Sequence, residues 1–338
     1  MRRKVYRISC FAAIFLFTIV SCVKDGFGPF PADVSFNISG RLLEGRRISC
    51  IDIDKKGNYC IGSESDLFYF NNGRQDLYRL DHPVLDVAIA EDASVWIGTN
   101  GGGLGHLTGK GITWYTKANS GLPRDYIRHV ELAPDGTVWF SSCAHQLGGL
   151  GVFDGWKFSF FTPENSPLNQ NVIQDINIDR DGVVYIATAG TVGRSNIYRI
   201  RDKKWDCLGD EEGMFYWIFS FTVSPTGTIY VIEDFSLSSY FCGSNNLWEL
   251  SNNRWSKIET DDVTISGFFS QVIADQRGFC WIPGYDDNTP VLYVYNGNTW
   301  ISSPADTFPG DFFTCMEVDY DNNIWLGTYS NGVFILRQ

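Results

Sequence analysis

The sequence predicts a seven-bladed β-propeller of four-stranded antiparallel blades, and three observations carry that reading. The phrase Ile324-Trp325-Leu326-Gly327-Thr328 near the C-terminus recurs as Val95-Trp96-Ile97-Gly98-Thr99, with weaker copies between them. Seven copies follow one another at intervals of 36 to 51 residues, the length of a propeller blade. The last copy ends before it can supply a fourth strand, so a ring would have to be closed from the other end of the chain.

The N-terminus comes first. Basic residues Arg2, Arg3 and Lys4 precede an apolar run over residues 8–20, too short to span a bilayer, which is the pattern of a secretory signal. Ser21-Cys22 resembles a bacterial lipobox, so residues 1–21 are expected to be a lipoprotein signal peptide, Cys22 the lipidation site and residues 22–33 an anchor linker. Val23-Lys24-Asp25-Gly26 is similar to the signal that exports some lipoproteins of Bacteroidetes-type bacteria to the cell surface, although a second acid is absent at Gly26. An outer-membrane lipoprotein on the periplasmic or cell-surface face is therefore expected, touching the membrane by its lipid alone.

Removal of Arg2, Arg3, Lys4 and Arg7 leaves 23 basic against 39 acidic residues, a balance near −16. Such a surface is repelled by phosphate backbones, which argues against nucleic acid as a partner. Once Cys10 and Cys22 are set aside, Cys50, Cys60, Cys143, Cys207, Cys242, Cys280 and Cys315 remain. The odd count leaves at least one thiol unpaired or bonded to another chain, and no CxxC spacing supports a metal site.

Residues 34–338 are the expected propeller. The copies align on a turn position occupied by Gly57, Ala93, Gly136, Gly182, Gly227, Gly278 and Asn322. Three places later stand Cys60, Trp96, Trp139, Tyr185, Tyr230, Trp281 and Trp325. Four and six places before the turn the residues are apolar in nearly every copy, as in Ile53 and Ile51 or Ile178 and Ile176. This period of two marks a strand with one buried face, so each copy opens with a hairpin. Short third strands are expected at 67–70, 197–200, 247–250 and 292–295, and fourth strands around Trp114, Phe160, Trp205, Trp255 and Trp300. Phe36 lies twelve residues before Ile48, as Tyr115 does before Ile127, so residues 34–38 are expected to pair with 332–336 and seal the ring.

Leu122-Pro123-Arg124-Asp125-Tyr126-Ile127, Asp135-Gly136-Thr137-Val138-Trp139 and the two Trp-x-Gly-Thr phrases resemble the two-component regulator propeller repeat. In that family such repeats form the extracytoplasmic sensing part of hybrid sensor kinases, many of which respond to glycans. The chain leaves no room for the immunoglobulin-like, kinase or DNA-binding domains of those sensors, so the resemblance implies the fold rather than signalling.

Candidate chemistry falls in two places. The loops leaving second strands (100–105, 142–151, 189–195, 234–245 and 284–290) and those entering first strands share one face. They carry Arg124, Tyr126, His145, Arg194, Tyr216, Trp217, Tyr240, Tyr285, Asp286 and Asp287, an aromatic and charged set suited to sugar rings or to an envelope protein. The competing reading is that these aromatics pack the loops onto the blades. Seven places before each turn stand Cys50, Asp86, His129, Asp175, Ser220, Gln271 and Cys315, a ring expected along the central channel. A catalytic reading takes His129 as base oriented by Asp86 or Asp175, or His145 at the channel mouth. The bland reading is a hydrated channel whose polar groups satisfy one another. A Cys50–Cys315 disulfide is conceivable if the two first strands come close enough. Asp179-Arg180-Asp181-Gly182 and Asp319-Tyr320-Asp321-Asn322 lack the twelfth-position acid of a calcium loop, so they read as turns. No metal or cofactor is implied, and a monomer is expected. Function is expected to be non-catalytic binding of a glycan or protein, with a polysaccharide lyase or hydrolase and an outer-membrane scaffold as alternatives.

Overall fold

A computed structural model describes residues 34–144, 147–189, 194–209, 214–234, 245–259, 271–286 and 289–338. They form seven four-stranded antiparallel sheets; six are ordered from innermost to outermost strand along the chain, and the seventh takes its outermost strand from the N-terminal segment. Blade 3, for example, runs through Ile127–Leu132, Val138–Ala144, Leu147–Phe153 and Phe158–Phe161.

The turn positions explain why each copy starts with a hairpin. Gly57, Ala93, Gly136, Gly182, Gly227, Gly278 and Asn322 all have φ between 66° and 85°. The left-handed region is cheap for Gly and tolerable for Asn, and Ala93 alone bears a Cβ there without a side chain that helps. An aspartate opens many of these turns and ties them to the strand beyond. Asp319 accepts backbone N–H bonds from Asp321 and Asn323, while its second oxygen accepts the Trp325 indole N–H at 3.0 Å. Asp275 does the same for Phe279 and Trp281.

The rest of the Trp-x-Gly-Thr phrase is equally mechanical. A Cβ on Gly98 would lie 2.8 Å from the Ile127 carbonyl oxygen, and one on Gly327 would lie 2.8 Å from Ile48 Cγ2, so only glycine lets the next blade enter this close. Thr99 and Thr328 then cap the following loop. Each hydroxyl donates to a carbonyl four residues on and accepts an N–H at 3.0 Å.

Packing follows the seams between blades. Seven hydrophobic clusters are each shared by two neighbours, including the Trp325, Val333, Ile48 and Ile61 cluster that joins blade 7 to blade 1. The ring is closed by the N-terminal segment, but four residues later than expected. Ile38–Leu42, rather than 34–38, pairs antiparallel with Val333–Leu336. The connection from this strand to Cys50 is short, like that between Arg79 and Val84, so the twelve-residue spacing borrowed from blades 3 and 4 overshoots. Phe36 instead precedes the strand and packs edge-on against Trp281, at 5.9 Å between ring centres. The conceivable Cys50–Cys315 disulfide is absent, and both thiols are free. Cys50 packs with Val84 and Val87 in one seam, whereas Cys315 packs with Ile48 and Trp325 in the next.

Candidate functional site

The seven innermost strands surround a central cavity of about 1190 Å³ that runs from the entry ends of these strands to the hairpin turns. All seven ring residues, Cys50, Asp86, His129, Asp175, Ser220, Gln271 and Cys315, line it. Two places further on, a second tier of Asp52, Glu131, Asn177, Thr222 and Glu317 lines it as well.

An innermost strand is the edge of its sheet, and its outward N–H groups need partners. The channel side chains supply them from the blade before. Asp86 accepts from Val130 N at 2.9 Å, Asp175 from Phe221 N at 3.2 Å, Ser220 from Val272 N at 3.2 Å and Gln271 from Met316 N at 3.0 Å. In the second tier, Asp52 accepts from Ile89 N and Thr222 from Ala274 N. Much of the ring is thus a belt that stitches each blade to the next.

Burial in the channel wall sets the charge state. It pushes Asp86 up to about 8 against the opposing backbone N–H bonds from Val130 and Val87. It likewise raises Glu317 to about 8 and Asp52 to about 6. Asp175 rises only to about 6, because the Phe221 and Ile176 amides, the Ser220 hydroxyl and the Arg128 charge favour its anion. Glu131 is raised as well, by burial and then by its acidic neighbours. His129 Nδ1 sits 3.9 Å from both Asp86 and Asp175, yet burial first and Arg128 second push its pKa down to about 3. At neutral pH the geometry is therefore a neutral imidazole beside a carboxyl held mostly protonated, not an ion triad. Its Nε2 is buried without a hydrogen-bond partner.

Of the loop-face candidates, Tyr126 lines the entry mouth of the cavity. Arg194 lies over the Tyr216 ring at 4.7 Å, and Trp217 opens the first strand of blade 5 half-buried. The backbone of Arg124 is tied to Ser142, whose hydroxyl accepts its N–H and donates to its carbonyl. Tyr126 bridges to Asn100 at the junction of blades 2 and 3, whereas the Arg194–Tyr216 stack lies at the junction of blades 4 and 5. His145, Tyr240 and Asp287 lie outside the described residues, as do Cys22 and the side chains of Tyr285 and Asp286. No group of three or more His, Cys, Asp or Glu among the described residues is placed to hold a metal ion.

Sequence reasoning missed two sets. One is the second acidic tier, which was visible at five places before the turn. The other is Arg128, Gln174 and Phe219, eight places before it, which share the entry mouth with Tyr126. Gln174 joins the other two, accepting from Arg128 Nη1 at 3.2 Å and donating to the Phe219 carbonyl at 3.0 Å. Strict alternation would aim eighth-position and seventh-position side chains at opposite faces. The register instead shifts at the start of these strands, between Ile127 and Val130, Ile173 and Asp175, and Ile218 and Ser220, so both reach the channel.

The two-component regulator propeller model matches residues 307–330, which contain the Trp325-Leu326-Gly327-Thr328 phrase. No curated protein sequence matches the chain. Among solved structures, a catalytically inactive virginiamycin B lyase from Staphylococcus aureus, solved with quinupristin, superposes with a TM-score of 0.67 at 15% identity over 88% of this chain and 98% of that one. The extracellular domain of a protein described as a hybrid two component system from B. thetaiotaomicron gives 0.64 at 18% identity, over 87% of this chain but only 39% of that one. YCF48 bound to a D1 peptide gives 0.60 at 12% identity, covering 88% and 94%. At these identities the likeness is one of fold. The chain is a seven-bladed β-propeller that carries the two-component regulator propeller repeat.

Proposed function

We propose that the protein is a non-catalytic binding propeller of the cell envelope, anchored by a lipid on Cys22, that takes a glycan at the entry mouth of its channel. The observation that supports this most directly is the mouth itself. Tyr126 and Phe219 offer aromatic surface to the C–H face of a sugar, and the Arg128 guanidinium retains donors for hydroxyl oxygens beyond its bond to Gln174. Export agrees with the extracellular setting of the B. thetaiotaomicron domain, and no helix among the described residues is long and apolar enough to cross a membrane.

A lyase reading draws on His129, set between the acidic side chains of Asp86 and Asp175 in the channel, and on the lyase fold likeness. It is the weaker one, because Asp86 and Asp175 are committed to backbone N–H groups of the next blade. The test is a glycan array and thermal-shift screen on the full chain. A hit should raise the melting temperature, and Tyr126→Ala and Arg128→Ala should each weaken binding by about tenfold or more while leaving the unliganded melting point nearly unchanged. A panel without a hit refutes the sugar preference. Turnover of a bound glycan that is lost in His129→Ala refutes the non-catalytic part.

A further inference from the structure

The hairpin face of the propeller carries a basic outer rim, and the N-terminal segment enters the ring from it. The closing strand places Ile38 opposite Leu336, at the end of blade 7 where the hairpin turns lie. Just before it, Ser35 is bonded both ways to the Gln338 side chain, at 3.1 and 2.7 Å. The chain therefore enters the ring from the hairpin face, opposite the entry mouth. The outer rim of this same face is formed by the turns between third and fourth strands. Those turns or their ends carry Lys110, Lys157, Lys203, Lys204, Arg254 and Arg337, all exposed and none in an ion pair among the described residues. Asp154 and Asp202 stand on the same turns, so the six basic residues leave the rim net cationic on a protein whose net charge is −12. Beside Lys157 stands Trp156, 93% exposed, on a turn whose shape is fixed by Asp154 accepting the N–H groups of both residues.

We propose that this hairpin face docks on an anionic lipid bilayer, with the basic rim meeting lipid phosphates and Trp156 entering the interfacial layer, so that the entry mouth points away from the membrane. An indole with an apolar body and a polar N–H is suited to that layer, and a row of lysines and arginines to anionic headgroups. The tether alone does not impose this pose, because the twelve residues from Cys22 to Val34 can extend to about 40 Å. The inner turns of the same face are acidic, with Asp54, Glu91, Asp92, Asp135, Asp179, Asp181, Asp319 and Asp321 against Lys55, Lys56 and Arg180. Asp54, Asp179 and Asp319 are turned onto amides of their own turns. Inner and outer turns lie two strand spacings of about 4.8 Å apart, a little more than one screening length of about 8 Å at physiological salt, so the inner acids weaken the pull of the rim without cancelling it.

The inference rests on the envelope reading of the proposed function but not on the glycan. The test is co-sedimentation of the full chain, carrying Cys22→Ser to remove lipid attachment, with vesicles of phosphatidylglycerol and phosphatidylcholine or of phosphatidylcholine alone. The parent should bind the anionic vesicles about tenfold or more tightly than the neutral ones, and less so as salt rises. The triple change Lys157→Glu, Lys203→Glu, Lys204→Glu should abolish that preference, and Trp156→Ala should weaken it several-fold. Arg47→Glu, on the opposite face, should leave it intact. Equal binding by parent and triple variant, or an equal loss in Arg47→Glu, overturns the proposal. Any glycan-induced thermal shift should persist in the rim variants, so failure of docking and failure of the glycan reading are separate results.

Discussion

Phe36 tests whether the N-terminal segment is part of the fold or a tail lying on it. Its side chain is 8% exposed and packs edge-on against Trp281, in a cluster with Phe308, Phe334 and Leu336 that lies across the seam of blades 6 and 7. Replacing it with alanine removes most of a buried aromatic side chain and leaves a cavity among groups held by two different sheets, which cannot both collapse into it. The cost expected for such a site is roughly 3–5 kcal/mol, of which about 0.5–1.5 kcal/mol belongs to the aromatic pair. Phe36→Leu, which keeps most of the volume, should cost about 1–2 kcal/mol. Urea unfolding followed by circular dichroism and tryptophan fluorescence measures both, provided the transition stays two-state. A loss below about 1 kcal/mol for Phe36→Ala would show that blade 7 does not depend on the segment before its closing strand.

Two further outcomes follow from the turns and the channel. Ala93→Gly should stabilise the protein by roughly 1 kcal/mol, because Ala93 holds φ 66° and a glycine relieves its Cβ; an unchanged or lower urea midpoint contradicts that. Stability should fall as pH rises from about 6.5 to 8. In that window Asp86 and Glu317, both raised to about 8, keep protons that the unfolded chain has already released, so the folded state loses its advantage as they ionise. His129, lowered to about 3, acts with the opposite sign but only below its unfolded value near 6.5, so it does not mask the effect. The expected loss is on the order of 1–2 kcal/mol, reduced by water reaching the channel, and Asp86→Asn should flatten the slope. A urea midpoint that climbs between pH 6.5 and 8 contradicts the assignment.

The fold was legible because each copy repeats residues with mechanical duties. The turn glycines, the buried aromatic three places on and the Gly-Thr pair each answer to a backbone angle, a seam or a loop cap, and those demands recur every blade. Closure was legible for the same reason, since an unpaired last strand requires a partner. Its exact register was not, because connection length between blades is a local matter that no repeat constrains. The channel ring was found through its period, yet alternation alone hid Arg128, Gln174 and Phe219, which the irregular strand starts turn inward. Aromatics ten places before the turn, Tyr126, Trp217 and Phe312, form a visible series, but spacing does not say how deeply each is buried. Phe312 is 50% exposed, whereas Tyr126 and Trp217 are more enclosed.

The belt of side chains around the channel bears on how a propeller divides structural from functional duty. Each innermost strand presents an open edge, and closing the ring brings that edge near its neighbour without letting the two strands pair as one sheet. Polar side chains at the seventh and fifth places before the turn bridge the gap at Asp86, Asp175, Ser220, Gln271, Asp52 and Thr222. Losing one such acceptor would leave a buried N–H unsatisfied, a cost of about 1–3 kcal/mol that selects for polarity whether or not a ligand ever enters. A polar, titratable ring in this fold is therefore weak grounds for catalysis. His129 differs from Asp86, Asp175, Ser220 and Gln271, because its side chain accepts no N–H of the next strand in the way theirs do and its Nε2 has no partner. One step outward, Tyr126, Arg128 and Phe219 line the entry mouth. There the strand starts are irregular, and Gln174 ties Arg128 of the blade before it to the Phe219 carbonyl of the blade after it, so this part of the mouth is held in place by neighbouring blades while its Tyr126 and Arg128 side chains line the cavity.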